Sequence, residues 1–202
     1  MILLQIYFIR HGLTLGNLDK RYIGCRSDES LCDKGIQQVK KLGGYFLYKK
    51  DDIDYVFCSP MKRCVQTAKY IFPEKPLKIY EGLAECDFGK FEGKNYDELK
   101  NDKYYQKWID SGGEIRFPDG ESQEIFKERV CKAFVKLINE NKFESAAIVA
   151  HGGTYMSILS QYEKDYNRSF FEWNIGNAEV LKVHITENPL RVHLVQQEKI
   201  YE

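Results

Sequence analysis

Two histidines of this chain each follow a short apolar run and precede a glycine. His11 comes after the run 2–9 and Arg10, and His151 comes after the run 146–150. Apolar runs of this length are typical of buried strands, and a following glycine permits a tight turn. Because ligands bind at the carboxyl ends of strands in open α/β sheets, we expect the two imidazoles to meet in one pocket.

Two arginines stand beside these turns. Arg10 directly precedes His11, and Arg63 follows an apolar strand and the pair Ser59-Pro60. Serine is suited to cap a helix and proline to occupy its first position, which would put Arg63 in the first helical turn. A helix N-terminus carries a partial positive charge, so a cation is normally unfavourable there. An arginine in that position fits a site where the helix terminus and the guanidinium bind the same anion, such as phosphate. For Arg10, a structural ion pair stays open as an alternative.

Strand-like and helix-like segments alternate along the chain. This alternation predicts the α/β class, with a three-layer α/β/α fold in which helices cover both faces of a mostly parallel, mixed sheet. The glycine pair 43–44 leaves the C-terminal end of the first long helix open. We predict strands at 54–58, 77–80 and 146–150, helices at 36–46, 125–138 and from about Thr154, an irregular segment at 82–120, and a closing hairpin at 180–185 and 192–195 with its turn at Asn188-Pro189.

Two patterns within these elements place individual side chains. In the hairpin, His184 and His193 alternate with apolar residues, which puts both on the face away from those neighbours rather than in catalysis. In the best helix, one apolar stripe comprises Ile125, Phe126, Val130, Ala133, Phe134, Leu137 and Ile138.

The composition argues against several classes of partner. The chain has 202 residues, which suits one domain spanning 1–202, and its 30 basic and 30 acidic residues cancel. Zero formal charge argues against nucleic acid or an anionic membrane surface, and no apolar run approaches the roughly 20 residues of a membrane span. The six cysteines form no Cys-x-x-Cys pair, so we expect buried, reduced thiols in a cytoplasmic protein without a signal peptide.

The histidine motifs belong to a series of short blocks between residues 9 and 153. The blocks are Ile9-Arg10-His11-Gly12 with Thr14 and Asn17, then Gly24, Asp28, Leu31, Gly35 and Gln38, then 59–68, 83–89 with Glu92-Gly93, 118–122, and His151-Gly152-Gly153. In content and order they resemble the histidine phosphatase superfamily, whose fold is called phosphoglycerate mutase-like. Each block alone is weak evidence, but the ordered set is highly specific.

The resemblance implies a role for each matched position. His11 would be the nucleophile that forms a phosphohistidine, and Arg10, Arg63 and His151 would bind the phosphoryl group. Glu85 would donate a proton to the leaving oxygen. Substrate contacts would come from Thr14, Asn17 and Gly152, and neither a metal nor another cofactor is expected.

General chemistry supports this assignment. A neutral imidazole is a good nucleophile near pH 7, while two arginines and a protonated His151 would balance the charge of the transferring phosphoryl group. A carboxyl held protonated by burial can donate the proton that a poor leaving group needs. Local sequence alone does not separate Glu85 from Glu81, Asp87 or Glu92.

The resemblance leaves three functions open: a phosphomonoesterase, a phosphoglycerate mutase, or a catalytically silent binding protein. The segment 93–118 is compact and has no adjacent arginine pair for a second phosphate, which favours the phosphatase. The motif layout is similar to that of α-ribazole phosphatases of cobalamin synthesis, with a small phosphomonoester as the expected partner. We also allow for a homodimer.

Two features of the sequence bear on substrate placement. Leu13 stands where the family often has glutamate or glutamine, so a polar group is missing near the substrate side. The aromatic residues of the compact segment either form the apolar face of a cap helix or build a wall for a flat or sugar-bearing leaving group. They are Tyr96, Tyr104, Tyr105, Trp108 and Phe117.

Overall fold

A single six-stranded sheet organises the computed structural model, which describes residues 4–47, 49 and 52–199. The strand order is β3-β2-β4-β1-β5-β6. The strands on one side, β3, β2, β4 and β1, run parallel, whereas β5 and β6 are antiparallel. The mostly parallel, mixed sheet is therefore confirmed. The strands are β1 (Leu4–Arg10), β2 (Tyr55–Cys58), β3 (Leu77–Ile79), β4 (Ser145–Ala150), β5 (Val180–Glu187) and β6 (Leu190–Glu198).

Helices cover both faces of this sheet and give the three predicted layers. One hydrophobic cluster joins the sheet to α6 and α7, and a second joins the opposite face to α2 and α3. Among the described residues no helix is long and apolar enough to span a membrane. The helices are α1 (Leu15–Leu18), α2 (Asp33–Phe46), α3 (Lys62–Ile71), α4 (Tyr96–Leu99), α5 (Lys103–Asp110), α6 (Gln123–Glu140) and α7 (Gly152–Tyr162).

The central strand pair positions the two histidines. Every residue of β4 is buried, as is most of β1, because strands covered on both faces must be apolar almost throughout. The two strands are parallel and in register from Gln5 opposite Ser145 to Arg10 opposite Ala150. The polypeptide therefore leaves β1 and β4 at the same edge of the sheet. The part of the predicted first strand at residues 2 and 3 lies outside the described residues.

The predicted start of α3 is wrong by two residues. Pro60 precedes the helix, Met61 is its N-cap, and helix geometry begins at Lys62. Ser59 continues the sheet instead, since its N–H donates to the Val149 carbonyl at 3.0 Å. The cap comes from a distant loop, where the Asp28 carboxylate accepts from the Lys62 N–H at 2.7 Å. Arg63 still lies in the first turn.

The end of α2, which the sequence left open, lies at Phe46, and two other predicted details are wrong. Helix α2 continues through both glycines to Phe46. Gly43 has a packing role, because a Cβ there would lie 3.1 Å from the Tyr70 carbonyl oxygen, and its absence lets α2 pack closely on α3. Helix α7 begins at Gly152 rather than at Thr154. Ile125 is 46% exposed and so does not belong to the buried stripe of α6.

The segment 82–120 is not irregular throughout. It contains α4 and α5, and short 3-10 helices run from Glu81 to Leu83 and from Gly89 to Phe91. Capping explains why α5 starts where it does, because the Asp102 side chain accepts from two N–H groups of its first turn. The closing hairpin is confirmed, with His184 opposite His193 on neighbouring strands.

Candidate active site

His11 and His151 meet at the carboxyl edge of the sheet, as the strand-end pattern predicts. Their ring centroids lie 5.1 Å apart, and both residues are buried. The His11 Nδ1 atom is 2.7 Å from the Gly12 carbonyl oxygen. Because a carbonyl only accepts, Nδ1 carries the proton of the neutral ring and Nε2 keeps its lone pair. The fold thus leaves the lone pair of His11 Nε2 free of this bond.

Burial favours the neutral form of both imidazoles. The pKa of His11 lies well below its ordinary value because the ring is desolvated and because the charges of Arg63 and Arg10 oppose protonation. Desolvation and the same arginines lower the pKa of His151. These effects disfavour a protonated His151 in the free site, and its protonation opposite a transferring phosphoryl group remains a prediction. Its Nε2 atom instead lies 2.8 Å from the Ser59 hydroxyl, a contact that the sequence did not reveal.

Arg63 is a fully buried cation that bonds to backbone carbonyls. Its guanidinium donates to the Ser27 carbonyl at 2.8 Å and to the Gly24 carbonyl at 3.0 Å. Within the described chain Arg63 has no salt bridge, and its buried Nε atom has no hydrogen-bond partner. A buried guanidinium held only by neutral carbonyls is well suited to bind an anion.

Arg10 is oriented by the segment after α7. Its Nη1 atom donates to the Ile175 carbonyl at 2.5 Å and to the Asn174 side chain at 3.4 Å. Both arginines act electrostatically on His11, so the three groups share one site. The sequence prediction of convergent cationic groups is matched by this geometry.

Glu85 enters the site from the turn between the two short 3-10 helices Glu81–Leu83 and Gly89–Phe91. Its carboxylate accepts from the Cys86 N–H at 3.0 Å and from the Gly153 N–H at 3.3 Å. Desolvation raises the pKa of Glu85 despite the lowering effect of these bonds and of Arg63. A Cβ at Gly153 would lie 2.3 Å from a Glu85 oxygen, so this close approach requires glycine.

The other local carboxylates are engaged elsewhere. Asp87 forms a 2.7 Å ion pair with Arg26, and Glu92 accepts from the Gly24 N–H at 3.0 Å. One carboxylate oxygen of Asp87 and one of Glu92 lie within 4.8 Å of the Cys25 sulfur and of each other, an arrangement that could suit a metal ion. The ion pair and the hydrogen bond just described already engage these two carboxylates. Glu81 is exposed. Of the four candidate acids, Glu85 is the one that bonds to the turn after His151 and lines the adjoining cavity.

A cavity of about 340 Å³ opens beside Arg10, Glu85 and Gly152. Its wall is aromatic, and among the described residues that line it Arg10 is the only cationic one. Met156 and several small or polar residues complete the wall. The seven aromatic residues are Tyr22, Phe88, Trp108, Phe117, Phe126, Phe170 and Phe171.

The two interpretations of the cap aromatics each hold for part of the set. Trp108 and Phe117 line the cavity, as a leaving-group wall requires. Tyr105 is 4% exposed and packs in the core. Tyr96 and Tyr104 are 64% and 41% exposed and lie outside the cavity lining.

The structure gives the predicted substrate contacts unequal support. Thr14 and Asn17 form a capping box at the start of α1, and the Asn17 oxygen also accepts from Asn177. These bonds shape the turn after His11, and a contact with substrate remains a prediction. Gly152 does line the cavity. Leu13 is absent from the described cavity lining, and its N–H donates to the Gln38 side chain at 3.2 Å.

Comparison with known proteins identifies the family. The family description histidine phosphatase superfamily (branch 1) matches residues 6–198. An adenosylcobalamin/α-ribazole phosphatase of Escherichia coli is 25% identical over 162 residues, which cover 78% of each chain. A 2,3-bisphosphoglycerate-dependent phosphoglycerate mutase of Buchnera aphidicola is 27% identical over 218 residues, covering 91% of this chain and 94% of the relative.

A solved structure of a phosphatase has a similar fold. The crystal structure of a mutant phosphoserine phosphatase from Entamoeba histolytica, in complex with phosphoserine, matches with a TM-score of 0.79 and 25% identity. The match covers 98% of both chains. Motif order, site geometry and these comparisons agree, and the chain belongs to the histidine phosphatase superfamily, branch 1.

Proposed function

We propose that this protein is a metal-independent phosphomonoesterase in which His11 forms a phosphohistidine. The observation that carries the proposal is the bond between His11 Nδ1 and the Gly12 carbonyl at 2.7 Å, which leaves Nε2 with its lone pair beside Arg10 and Arg63. We further propose that residues 1–202 act as one domain, in which 82–120 is the substrate cap.

In the first step, His11 Nε2 attacks phosphorus and the bond to the ester oxygen breaks. Glu85 transfers its proton to that oxygen, so the alcohol leaves neutral. Its buried carboxyl has the raised pKa that this donation needs. Arg10 and Arg63 bind the phosphoryl oxygens, whose charge spreads in the transition state.

In the second step, water attacks the phosphohistidine and the bond between phosphorus and Nε2 breaks. The Glu85 carboxylate now takes a proton from the water, and the products are inorganic phosphate and neutral His11. His151 stays neutral in the free site, so it contributes as a hydrogen-bonding group there. A bound phosphate dianion offsets the positive field of the arginines and favours protonation of His151.

The cavity favours an aromatic, uncharged leaving group. Seven aromatic residues form its wall, while Arg10 is the cationic residue among the described lining. This composition fits the base and ribose of α-ribazole 5′-phosphate, and the Escherichia coli relative bears the name of that activity. A mutase must hold a second phosphate while the intermediate reorients, and that task needs more cations than this wall provides.

Trapping and a substrate panel test the proposal together. Enzyme quenched during turnover should carry phosphate that is labile in acid and stable in alkali, and this label should be absent from His11→Ala. Activity should survive chelation. Catalytic efficiency should be higher on α-ribazole 5′-phosphate than on an alkyl phosphate or in the interconversion of phosphoglycerates. Phosphate on serine or cysteine would overturn the mechanism, and faster mutase turnover would overturn the phosphatase assignment.

A further inference from the structure

Arg129 on α6 binds the turn that carries Glu85, although it does not line the cavity. Its Nη1 atom donates to the carbonyls of Gly82 and Ala84 at 3.1 and 3.0 Å. Its Nη2 atom donates to the carbonyl of Glu85 at 3.2 Å. One guanidinium therefore holds three carbonyl groups of a four-residue turn.

Glu121 completes this arrangement from the other side of Arg129. The two side chains form a fork-to-fork pair, with two N–O distances of 2.8 Å. The same Glu121 carboxylate accepts from the Asp87 N–H at 2.9 Å. Together the two residues fix the backbone immediately before and after Glu85, and both are largely shielded from solvent.

The Glu85 carboxyl has few other restraints. One of its two hydrogen bonds comes from Cys86, which belongs to the same turn and moves with it. The other, from Gly153, is long at 3.3 Å. The position of the acid therefore depends on what holds its backbone.

We propose that the Arg129–Glu121 pair positions Glu85 for proton donation to the leaving group. The inference rests on the proposed role of Glu85 as the general acid. Misplacement by about 1 Å can cost about 100-fold in rate, so losing these backbone bonds should matter at the acid more than at His11. Arg129 and Glu121 are positioning residues because neither reaches the cavity.

Two substrates of similar size separate positioning of the acid from general damage. Benzyl phosphate has a poor leaving group that needs a proton, whereas the leaving group of p-nitrophenyl phosphate departs without one. Arg129→Gln and Glu121→Gln should each lower kcat on benzyl phosphate about 10- to 100-fold. Loss on p-nitrophenyl phosphate should be much smaller. Arg129→Lys, which keeps the charge without the planar fork, should behave like Arg129→Gln.

A matched control is available on the cap. Arg21 pairs with Glu98 at 2.6 Å and donates to the Gly93 carbonyl at 2.6 Å, but it lies outside the cavity lining. Arg21→Gln removes the same kind of bridge and should leave the ratio of the two activities unchanged. A change in that ratio as large as for Arg129→Gln would overturn the proposal.

The decisive measurement repeats Arg129→Gln in a Glu85→Gln background. If Arg129 acts through Glu85, adding Arg129→Gln to Glu85→Gln should cause no further loss of kcat on benzyl phosphate. An undiminished loss there, or equal losses on both substrates in the wild-type background, would overturn the positioning role. Should Arg129→Gln not fold, Glu121→Gln serves in the same comparison. If Glu85→Gln alone slows both substrates equally, the acid assignment itself fails, and the positioning role fails with it.

Discussion

The two ends of the active site are built in different ways. At the phosphate end, His11 and His151 follow adjacent central strands, and backbone carbonyls hold Arg63. At the other end, side chains from the cap and from the segment after α7 pack around an open cavity, and Phe171 is 53% exposed. The first end is fixed by the central strands of the sheet, and the second by contacts of side chains that stand largely on loops and short helices.

This difference separates chemistry from specificity. Under the proposed function, the phosphate end recognises a group that all substrates share, and its geometry is tied to the sheet. The aromatic end then recognises what differs between substrates, and its wall can change without disturbing the strands. Substitutions should therefore affect every substrate alike at the first end and affect substrates selectively at the second.

Removal of the nucleophile should have the largest effect. His11→Ala should lower kcat on the order of 10⁴-fold or more for every phosphomonoester, because no other group takes over attack on phosphorus. Steady-state kinetics on several esters would measure this loss, with a thermal melt to show that the fold persists. Substantial turnover by this variant on any ester would contradict the assignment.

Removal of a buried cation should come next. Arg63→Ala should cost roughly 3 kcal/mol of transition-state stabilisation on all substrates, the scale for losing one preorganised donor. Phosphate inhibition should weaken in parallel. Combination with Arg10→Ala should give less than the sum of the two losses, since both act on one phosphoryl group. A neutral Arg63→Ala would show that the buried arginine is structural.

Loss of the acid should depend on the leaving group. Glu85→Gln should slow alkyl phosphates about 100-fold or more, and p-nitrophenyl phosphate much less. For alkyl esters, activity of the wild type should fall as the pH rises through the pKa of Glu85, because the carboxyl then loses the proton it donates. Burial raises that pKa, so the fall should lie above the ordinary range of glutamate. The variant should lack this alkaline limb.

Changes in the aromatic wall should be smaller and selective. Phe171→Ala and Trp108→Ala should each raise KM about 10-fold for a phosphomonoester with an aromatic leaving group, from lost stacking and burial. Small alkyl phosphates should be affected little. Tyr96→Ala is a matched control, since Tyr96 belongs to the same cap but is 64% exposed and outside the lining. Equal effects on all esters would remove the distinction between the two ends.

The protonation of the two histidines provides the finest test of the phosphate end. Desolvation and the arginine charges lower both pKa values, so His11 and His151 should remain neutral as the pH falls through the usual histidine range. Nitrogen NMR of the free enzyme should find the His11 proton on Nδ1. A charged His11 at pH 7 would contradict the electrostatic picture, while saturating phosphate should raise the pKa of His151.

The same division explains which parts of the site the sequence could predict. The strand-end histidines and Arg63 follow from local patterns, because an apolar run, a turn residue and chain order define where a strand ends. The bond from Ser59 to His151 and the contact of Asn174 with Arg10 join residues far apart in sequence. No residue type or spacing signals such pairs. Arg129 was missed for the same reason, since on α6 it looks like one more charge on a helix.

The sequence by itself determined the sheet class, the helix-covered faces, the hairpin and the order of the family blocks, because periodicity and turn residues act over a few positions. Only the tertiary structure decided where α3 begins, since its cap comes from Asp28. It also decided which cap aromatics line the cavity, and that burial lowers the pKa of His151 in the free site. These outcomes depend on burial and on long-range neighbours, and both exist only once the strands and helices have packed.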